Sequence, residues 1–200
     1  AVAANHGDIG SNAVDLSYDG ELGPSTTRGA TGNASTAMGE STTASGNSST
    51  AMGFQTTASG ENSTAMGGST EASGNASTAM GQSTEASSLY STAMGYNTEA
   101  SGQISTAMGA STKASGNSST AMGVNTIASG DASTAMGGNT EASGENSTAM
   151  GDETTASDYG SLVIGQYNSS GSSVTSSATA FSTANTAFVI GNGANSVSSS

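Results

Sequence analysis

Cysteine and tryptophan are absent from this 200-residue chain, and lysine and arginine together number only two. Without cysteine, disulfides, thiolate metal sites and cysteine nucleophiles are excluded. Because Arg28 and Lys113 are the only basic side chains, the phosphates of a nucleic acid would find almost no counter-charge, and we predict no nucleic-acid partner. No apolar run approaches the length that spans a bilayer, so no membrane span is predicted in this chain.

Large apolar residues are also scarce. Aromatic residues make up 4% of the chain, and its formal net charge is -13. Few large apolar side chains combined with a high net charge are typical of intrinsic disorder. Composition alone therefore favours a disordered chain, and only the order of the residues decides otherwise.

A fourteen-residue repeat runs through most of the sequence. The pentapeptide Ser-Thr-Ala-Met-Gly occurs nine times, first at Ser35 and last at Ser147, always fourteen residues apart, and all nine methionines occupy its fourth position. A second motif, Thr-x-Ala-Ser, follows each copy in the same register, beginning at Thr42. A strict period without insertion or deletion is the signature of a repeat architecture. The chain is therefore predicted to be folded.

Fourteen residues fit two short strands and two turns. In the first repeat we predict strands over 35–38 and 42–45, with turns at 39–41 and 46–48. Gly39 and Gly46 would supply the positive φ that tight corners need. Stacked coils place like residues above one another at about 4.8 Å per rung. The sequence therefore predicts an all-β fold, a parallel β-roll or solenoid with two strands per rung.

Strand alternation assigns the two faces of each strand. The residue at position 43 varies freely down the repeats, which marks it as exposed, so its neighbours Thr42 and Ala44 point inward. Small Ser35 and Ala37 face them across a thin roll. The predicted interior residues are Ala37, Thr42, Ala44, Ala51, Thr56 and Ala58.

Thr36 and Met38 must then point outward, and so must their repeats. Burying a methionine contributes roughly 1.5–3 kcal/mol, so a solvent-exposed column of nine forgoes a large stabilising term. A long apolar stripe predicts a partner, and the simplest partner is another copy of the chain around a symmetry axis. We predict that the chain self-associates and that its monomer is not stable alone.

Ser-Thr-Ala-Met-Gly followed by x-x-Thr-x-Ala-Ser-Gly resembles the head repeat of trimeric autotransporter adhesins. In that family the corresponding residues are typically Asn-Ser-Val-Ala-Ile-Gly, on a left-handed parallel β-roll whose Val and Ile meet on a trimer axis. The resemblance covers about residues 33–165 and implies a homotrimer with a more polar and pliable axis, since Thr replaces Val and Met replaces Ile. The axis residues that it implies are Thr36, Met38, Thr50, Met52, Thr64, Met66, Thr78, Met80, Thr92, Met94, Thr106, Met108, Thr120, Met122, Thr134, Met136, Thr148, Met150, Leu162 and Ile164.

Three segments follow from the extent of the repeat: residues 1–32, a roll over 33–165, and an irregular β segment over 166–200. The first segment is predicted to cap the roll or to link trimers into a filament, with residues 12–16 adding as a strand to a neighbouring subunit. The last segment is similar to regions that precede chaperone domains in trimeric tail-spike and fibre proteins.

Catalytic chemistry is not expected. The single histidine, His6, lies in the irregular first segment, and no paired acids are apparent, so we predict neither an enzyme nor a cofactor. Stacked Glu71, Glu85 and Glu99 are a candidate calcium ladder. The alternative, a solvated face of repelling charges, is favoured.

The sequence therefore predicts an extracellular structural or adhesive fibre segment on a cell surface or in a matrix. The alternatives are an ice-binding solenoid, because Thr ladders order water, and a phage tail-fibre segment. A surface, matrix or glycan ligand would meet the variable columns at positions 40, 43, 47 and 48. Phe54, Tyr90 and Tyr96 lie at turns, where they could pack on sugars or simply be scattered exposed aromatics.

Overall fold

Strands of five and of two residues alternate along most of the chain, with no helix in the residues that the structure describes. The computed structural model describes residues 8–18, 28–168, 177–180 and 185–192. The chain divides into two compact units, Ala1–Ile104 and Ser105–Ser200. The same rung builds both units: a five-residue strand, a corner, a two-residue strand and a second corner.

The described part of the first unit contains twelve strands. In chain order they are β1 (Val14–Tyr18), β2 (Gly29–Ala30), β3 (Thr36–Glu40), β4 (Thr43–Ala44), β5 (Thr50–Phe54), β6 (Thr57–Ala58), β7 (Thr64–Gly68), β8 (Glu71–Ala72), β9 (Thr78–Gln82), β10 (Glu85–Ala86), β11 (Thr92–Tyr96) and β12 (Glu99–Ala100).

The second unit contains ten strands among its described residues. They are β13 (Thr106–Ala110), β14 (Lys113–Ala114), β15 (Thr120–Val124), β16 (Ile127–Ala128), β17 (Thr134–Gly138), β18 (Glu141–Ala142), β19 (Thr148–Asp152), β20 (Thr155–Ala156), β21 (Leu162–Gln166) and β22 (Phe188–Asn192).

Strands of equal length pair in parallel from rung to rung. In the first unit β3 pairs with β5 and β4 pairs with β6, each shifted by one repeat, so that Met38 lies beside Met52 and Ala44 beside Ala58. The second unit repeats this arrangement, as in the pairing of β15 with β17. Each unit is a parallel β-solenoid with two strands per rung, and the predicted fold class is confirmed.

The interior of each rung holds only small side chains. Ala37 and Ala44 are fully buried, and so are Ser35 and Thr42. The same four columns are buried in the repeats that follow, and in the rung of β21 the larger Val163 takes the place of alanine. This interior is too thin for large apolar side chains, which explains their scarcity in the sequence.

The strand limits and one glycine differ from the prediction. The strands span Thr36–Glu40 and Thr43–Ala44, and the corner residues with left-handed backbone are Ser41 and Ser48, each at φ 55°. Gly39 has positive φ, at 121°, but Gly46 does not. The expectation that Gly46 supplies positive φ is wrong. A Cβ there would overlap the carbonyl oxygen of Gly60 in the next rung, so glycine is needed for close stacking.

Rung pairing continues beyond the predicted roll at both ends. Within the chain, β1 pairs with β3, placing Val14 beside Thr36 and Leu16 beside Met38, so the strand proposed for addition to a neighbouring subunit lies here on its own chain. Likewise β22 pairs with β21. Residues 19–27 and 169–176 lie outside the described residues.

Candidate interaction surface

The outward side of the five-residue strands carries the threonine and methionine columns. In β5 the side chains of Thr50 and Met52 are partly exposed on either side of buried Ala51, because successive residues of a strand point to opposite faces. In-register pairing then stacks Thr50 beside Thr64 and Met52 beside Met66. We call these columns the Thr/Met face, formed by β3, β5, β7, β9 and β11 in the first unit and by β13, β15, β17 and β19 in the second.

The face becomes wholly apolar on β1. Val14 stacks on the Thr36 position and Leu16 on the Met38 position. Their side chains are 51% and 61% exposed, and that of Met38 is 43% exposed. The repeat period does not predict that these two residues join the face, because eight extra residues break it between β1 and β3. The offset is 22 residues instead of 14.

The second unit shows the same change on β21 and β22. Leu162 and Ile164 stack on Thr148 and Met150, and Phe188 and Ile190 stack on them in turn. Phe188 is 54% exposed and Ile190 is 66% exposed. The shared triplet Val-Ile-Gly at 163–165 and 189–191 is the signal that relates these two strands despite the broken period.

The residues predicted to line an oligomer axis all lie on this face or on its continuation on β21, and apart from the more exposed Met38 they are all half-buried. Their role at an axis stays a prediction. The six predicted interior residues have no exposed surface.

The predicted acidic ladder lies on the outward side of the two-residue strands. Glu85 pairs in register with Glu71 on one side and with Glu99 on the other. A carboxylate oxygen of Glu99 accepts a hydrogen bond from the Ser101 hydroxyl at 2.9 Å. No group of three or more His, Cys, Asp or Glu within the described part of the chain could hold a metal ion. The ladder is a column of like charges in register, and calcium binding there stays a prediction.

Columns of stacked threonines occur on the inner and on the outer side of the roll, and neither column forms a flat exposed array. The Thr42 column is buried. The Thr36 column is partly exposed but shares its strand face with methionine two residues later. An ice-binding surface would need the exposed, uninterrupted threonine array that this arrangement does not provide.

Acidic side chains also gather near the end of the regular repeats. Partial burial raises the pKa of the Tyr167 phenol, and the carboxylates of Asp152 and Glu153 and a hydrogen bond with Asp152 raise it further. Nearby, the buried Asp158 carboxylate accepts a hydrogen bond from the backbone N–H of Thr186 at 2.9 Å, which fastens the segment leading into β22.

The only histidine, His6, lies outside the described residues. None of the described residues forms a helix long and apolar enough to cross a membrane.

A family model described as the YadA head domain repeat matches the chain several times over. The matched ranges are residues 30–56, 58–84, 72–98, 86–112, 100–126, 114–140 and 142–168. No curated protein matches the chain. The matched ranges cover most of the described solenoid, including every strand that carries the Thr/Met face.

Proposed function

Because this chain belongs to the YadA head-repeat family, we propose that it is a segment of an extracellular adhesive or structural fibre that forms a homotrimer about the Thr/Met face. Repeats of this family are adhesin-type heads and are typically surface-exposed. The single observation that carries the proposal is the position of the largest apolar column, outside the roll and in register along each unit.

Most of the apolar area that association could bury lies outside the roll. The interior contains little more than methyl groups, since its columns are Ala, Ser and Thr. Each methionine that becomes buried contributes roughly 1.5–3 kcal/mol, and every rung of the regular repeat offers one. Association through this face supplies the apolar burial that the thin roll itself lacks.

Within each unit, the strand that pairs beside the regular repeats continues the apolar column. Leu16 and Ile190 are each more than half exposed, and they occupy the methionine column of their rungs. In each unit these stiffer, branched side chains would fix the register of the subunits, and the pliable methionines stacked beside them would adapt to it. A cyclic arrangement brings the same surface of every copy together around one axis.

The proposed role is display and attachment without catalysis. A parallel solenoid repeats its scaffold while its corner residues change, so the outer corners are available for contacts with a surface, a matrix or another cell. The proposed location is extracellular, at a cell surface or in a matrix filament.

The first test compares two substitutions of similar chemistry on opposite faces. Met122→Lys places a charge on the Thr/Met face, whereas Ile127→Lys places one on the outward side of the two-residue strand β16, where Ile127 is already 40% exposed. Multi-angle light scattering should give three times the chain mass for the unmodified protein and for Ile127→Lys. Met122→Lys should dissociate, because three buried ammonium groups would meet at one level of the axis.

A monomeric, well-folded unmodified protein would contradict the proposal. So would an equal effect of the two lysines on the molar mass.

A further inference from the structure

One corner of the first unit departs from the repeat at consecutive positions. The preceding rungs carry glycine at this corner, followed by Asn or Glu and then by Ala, Ser or Asn. This rung carries Ser88-Leu89-Tyr90 instead, and the next rung adds Ile104 in the Tyr90 column. The backbone hydrogen bond from the Ile104 N–H to the Leu89 carbonyl, 2.9 Å, holds the two rungs together at this point. We call Leu89, Tyr90 and Ile104 the Tyr90 corner.

The first departure changes one backbone hydrogen bond at the corner. In the preceding rungs the N–H of Gly60 and of Gly74 donates to an alanine carbonyl of the next rung at 3.2 Å. At the equivalent position the N–H of Ser88 donates instead to the Ser91 hydroxyl within its own turn, also at 3.2 Å. Serine at this column therefore replaces a contact between rungs with a local one.

The second departure removes a hydrogen-bond acceptor. In this column, side-chain oxygens accept backbone N–H groups of the preceding rung: Asn47 from Asn33 at 3.3 Å, and Asn75 from Glu61 at 3.1 Å. The next residue of the column is Leu89, whose side chain has no acceptor. Leucine at this position cannot accept the hydrogen bond that asparagine accepts from the preceding rung.

The third departure places bulky side chains on a left-handed backbone. Tyr90 and Ile104 have φ of 57° and 58°, in the left-handed region that bulky and β-branched residues rarely adopt. Such conformations cost about 1–3 kcal/mol each. Nor does burial compensate, because the two side chains are 59% and 55% exposed. All three departures disfavour folding, and together they expose the apolar side chains of Tyr90 and Ile104 to solvent.

The chemistry of the corner indicates what it would bind. Exposed Asn75 and Gln103 lie one rung to either side of half-buried Leu89 in the same column. The surface thus combines an aromatic ring and two aliphatic side chains with neutral amides. Sugar rings match this combination, because their C–H faces pack on apolar side chains and their hydroxyls hydrogen-bond with amides.

The size of the corner and the charge of the protein restrict the class of ligand further. A stable protein interface needs about 800 Å² on each partner, far more than three side chains present. The formal net charge of -13 disfavours sialylated or sulfated sugars by repulsion. We propose that the Tyr90 corner is a binding site for a neutral glycan, with Tyr90 as the stacking residue. The proposal rests on the adhesive function proposed above and adds a class of ligand to it. Three corners at one level of a homotrimer turn weak single sites into avid binding.

The test uses a printed array of neutral, sialylated and sulfated oligosaccharides. The unmodified protein should bind neutral oligosaccharides, and saturation-transfer NMR with the strongest neutral binder should give a signal that Tyr90→Asn abolishes. This variant restores a residue that tolerates left-handed backbone, so it should fold with an equal or higher melting temperature. Tyr96→Gln is the matched control. Tyr96 is also an exposed tyrosine, at 57%, but it lies at the other end of β11, and its replacement should leave binding unchanged.

Several outcomes would overturn the inference: no binding to neutral oligosaccharides, binding only to charged ones, or a signal that survives in Tyr90→Asn. Molar mass measured on the same samples separates the two proposals. Failure to bind glycans by an intact trimer rejects the Tyr90 corner alone, whereas a monomeric unmodified protein rejects the homotrimer.

Discussion

At the residue scale, the interior threonines carry the clearest physical conflict. Their side chains are essentially inaccessible to solvent, yet their hydroxyl oxygens have no hydrogen-bond partner, as at Thr56 and Thr84. A buried polar atom without a partner loses its water without compensation. Threonine in this column therefore acts through its β-branched shape, which suits strands, and not through its hydroxyl.

Adjacent residues allow a direct test of this interpretation. Thr56→Val keeps the shape and removes the hydroxyl, so we expect the free energy of unfolding to rise by about 1 kcal/mol. Thr57→Val makes the same change on the partly exposed outer side of β6, where the effect should stay below about 0.5 kcal/mol. Melting temperatures at equal protein concentration compare the two. A lower melting temperature for Thr56→Val would mean that the hydroxyl is hydrogen-bonded in solution.

At the element scale, the corners decide how closely the rungs stack. Gly60 shows no positive φ, but a Cβ on it would overlap the carbonyl oxygen of Gly74 in the next rung. By contrast, Gly68 at the end of β7 has open space around its Cβ position, and Phe54 and Gln82 occupy its column in the neighbouring rungs. The two glycines therefore serve different purposes.

Alanine substitutions separate these purposes. Gly60→Ala should lower the free energy of unfolding by about 1–3 kcal/mol, because the rungs must move apart to admit the methyl group. Gly68→Ala should raise it by about 0.4–1 kcal/mol, because it restricts the unfolded chain at a site without steric conflict. Chemical denaturation of both variants measures the difference. Equal effects would show that close stacking does not require glycine at position 60.

At the scale of the whole molecule, folding and association should be coupled. The thin interior buries little apolar area, and chain ordering costs about 1–2 kcal/mol per residue. Burial of the Thr/Met face would then supply a large part of the stability. The free energy of unfolding of such a protein is defined only at a stated protein concentration.

Thermal unfolding at several concentrations tests this coupling. The melting temperature of the unmodified protein should rise with protein concentration, since association binds the folded chain alone. Met122→Lys should melt at a lower temperature and show a weaker concentration dependence, while Ile127→Lys should behave like the unmodified protein. A melting temperature independent of concentration in the unmodified protein would show that the single chain is stable by itself.

The sequence by itself determined the solenoid, because a strict fourteen-residue period leaves one way to stack like residues. It also predicted which columns face inward, since position 43 varies while Thr42 and Ala44 do not. The prediction for Gly46 was wrong. A glycine required for a close contact with a carbonyl oxygen and a glycine required for positive φ look the same in a single sequence.

Only the tertiary structure decided how far the Thr/Met face extends and which corner residues are strained. Val14 and Phe188 join the Thr/Met face through strand pairings that skip out-of-period segments, and no period in the sequence predicts how a skipped segment closes. The strain at Tyr90 and Ile104 is likewise invisible in composition. Their column requires left-handed backbone only because the two strands of each rung meet there at a tight corner.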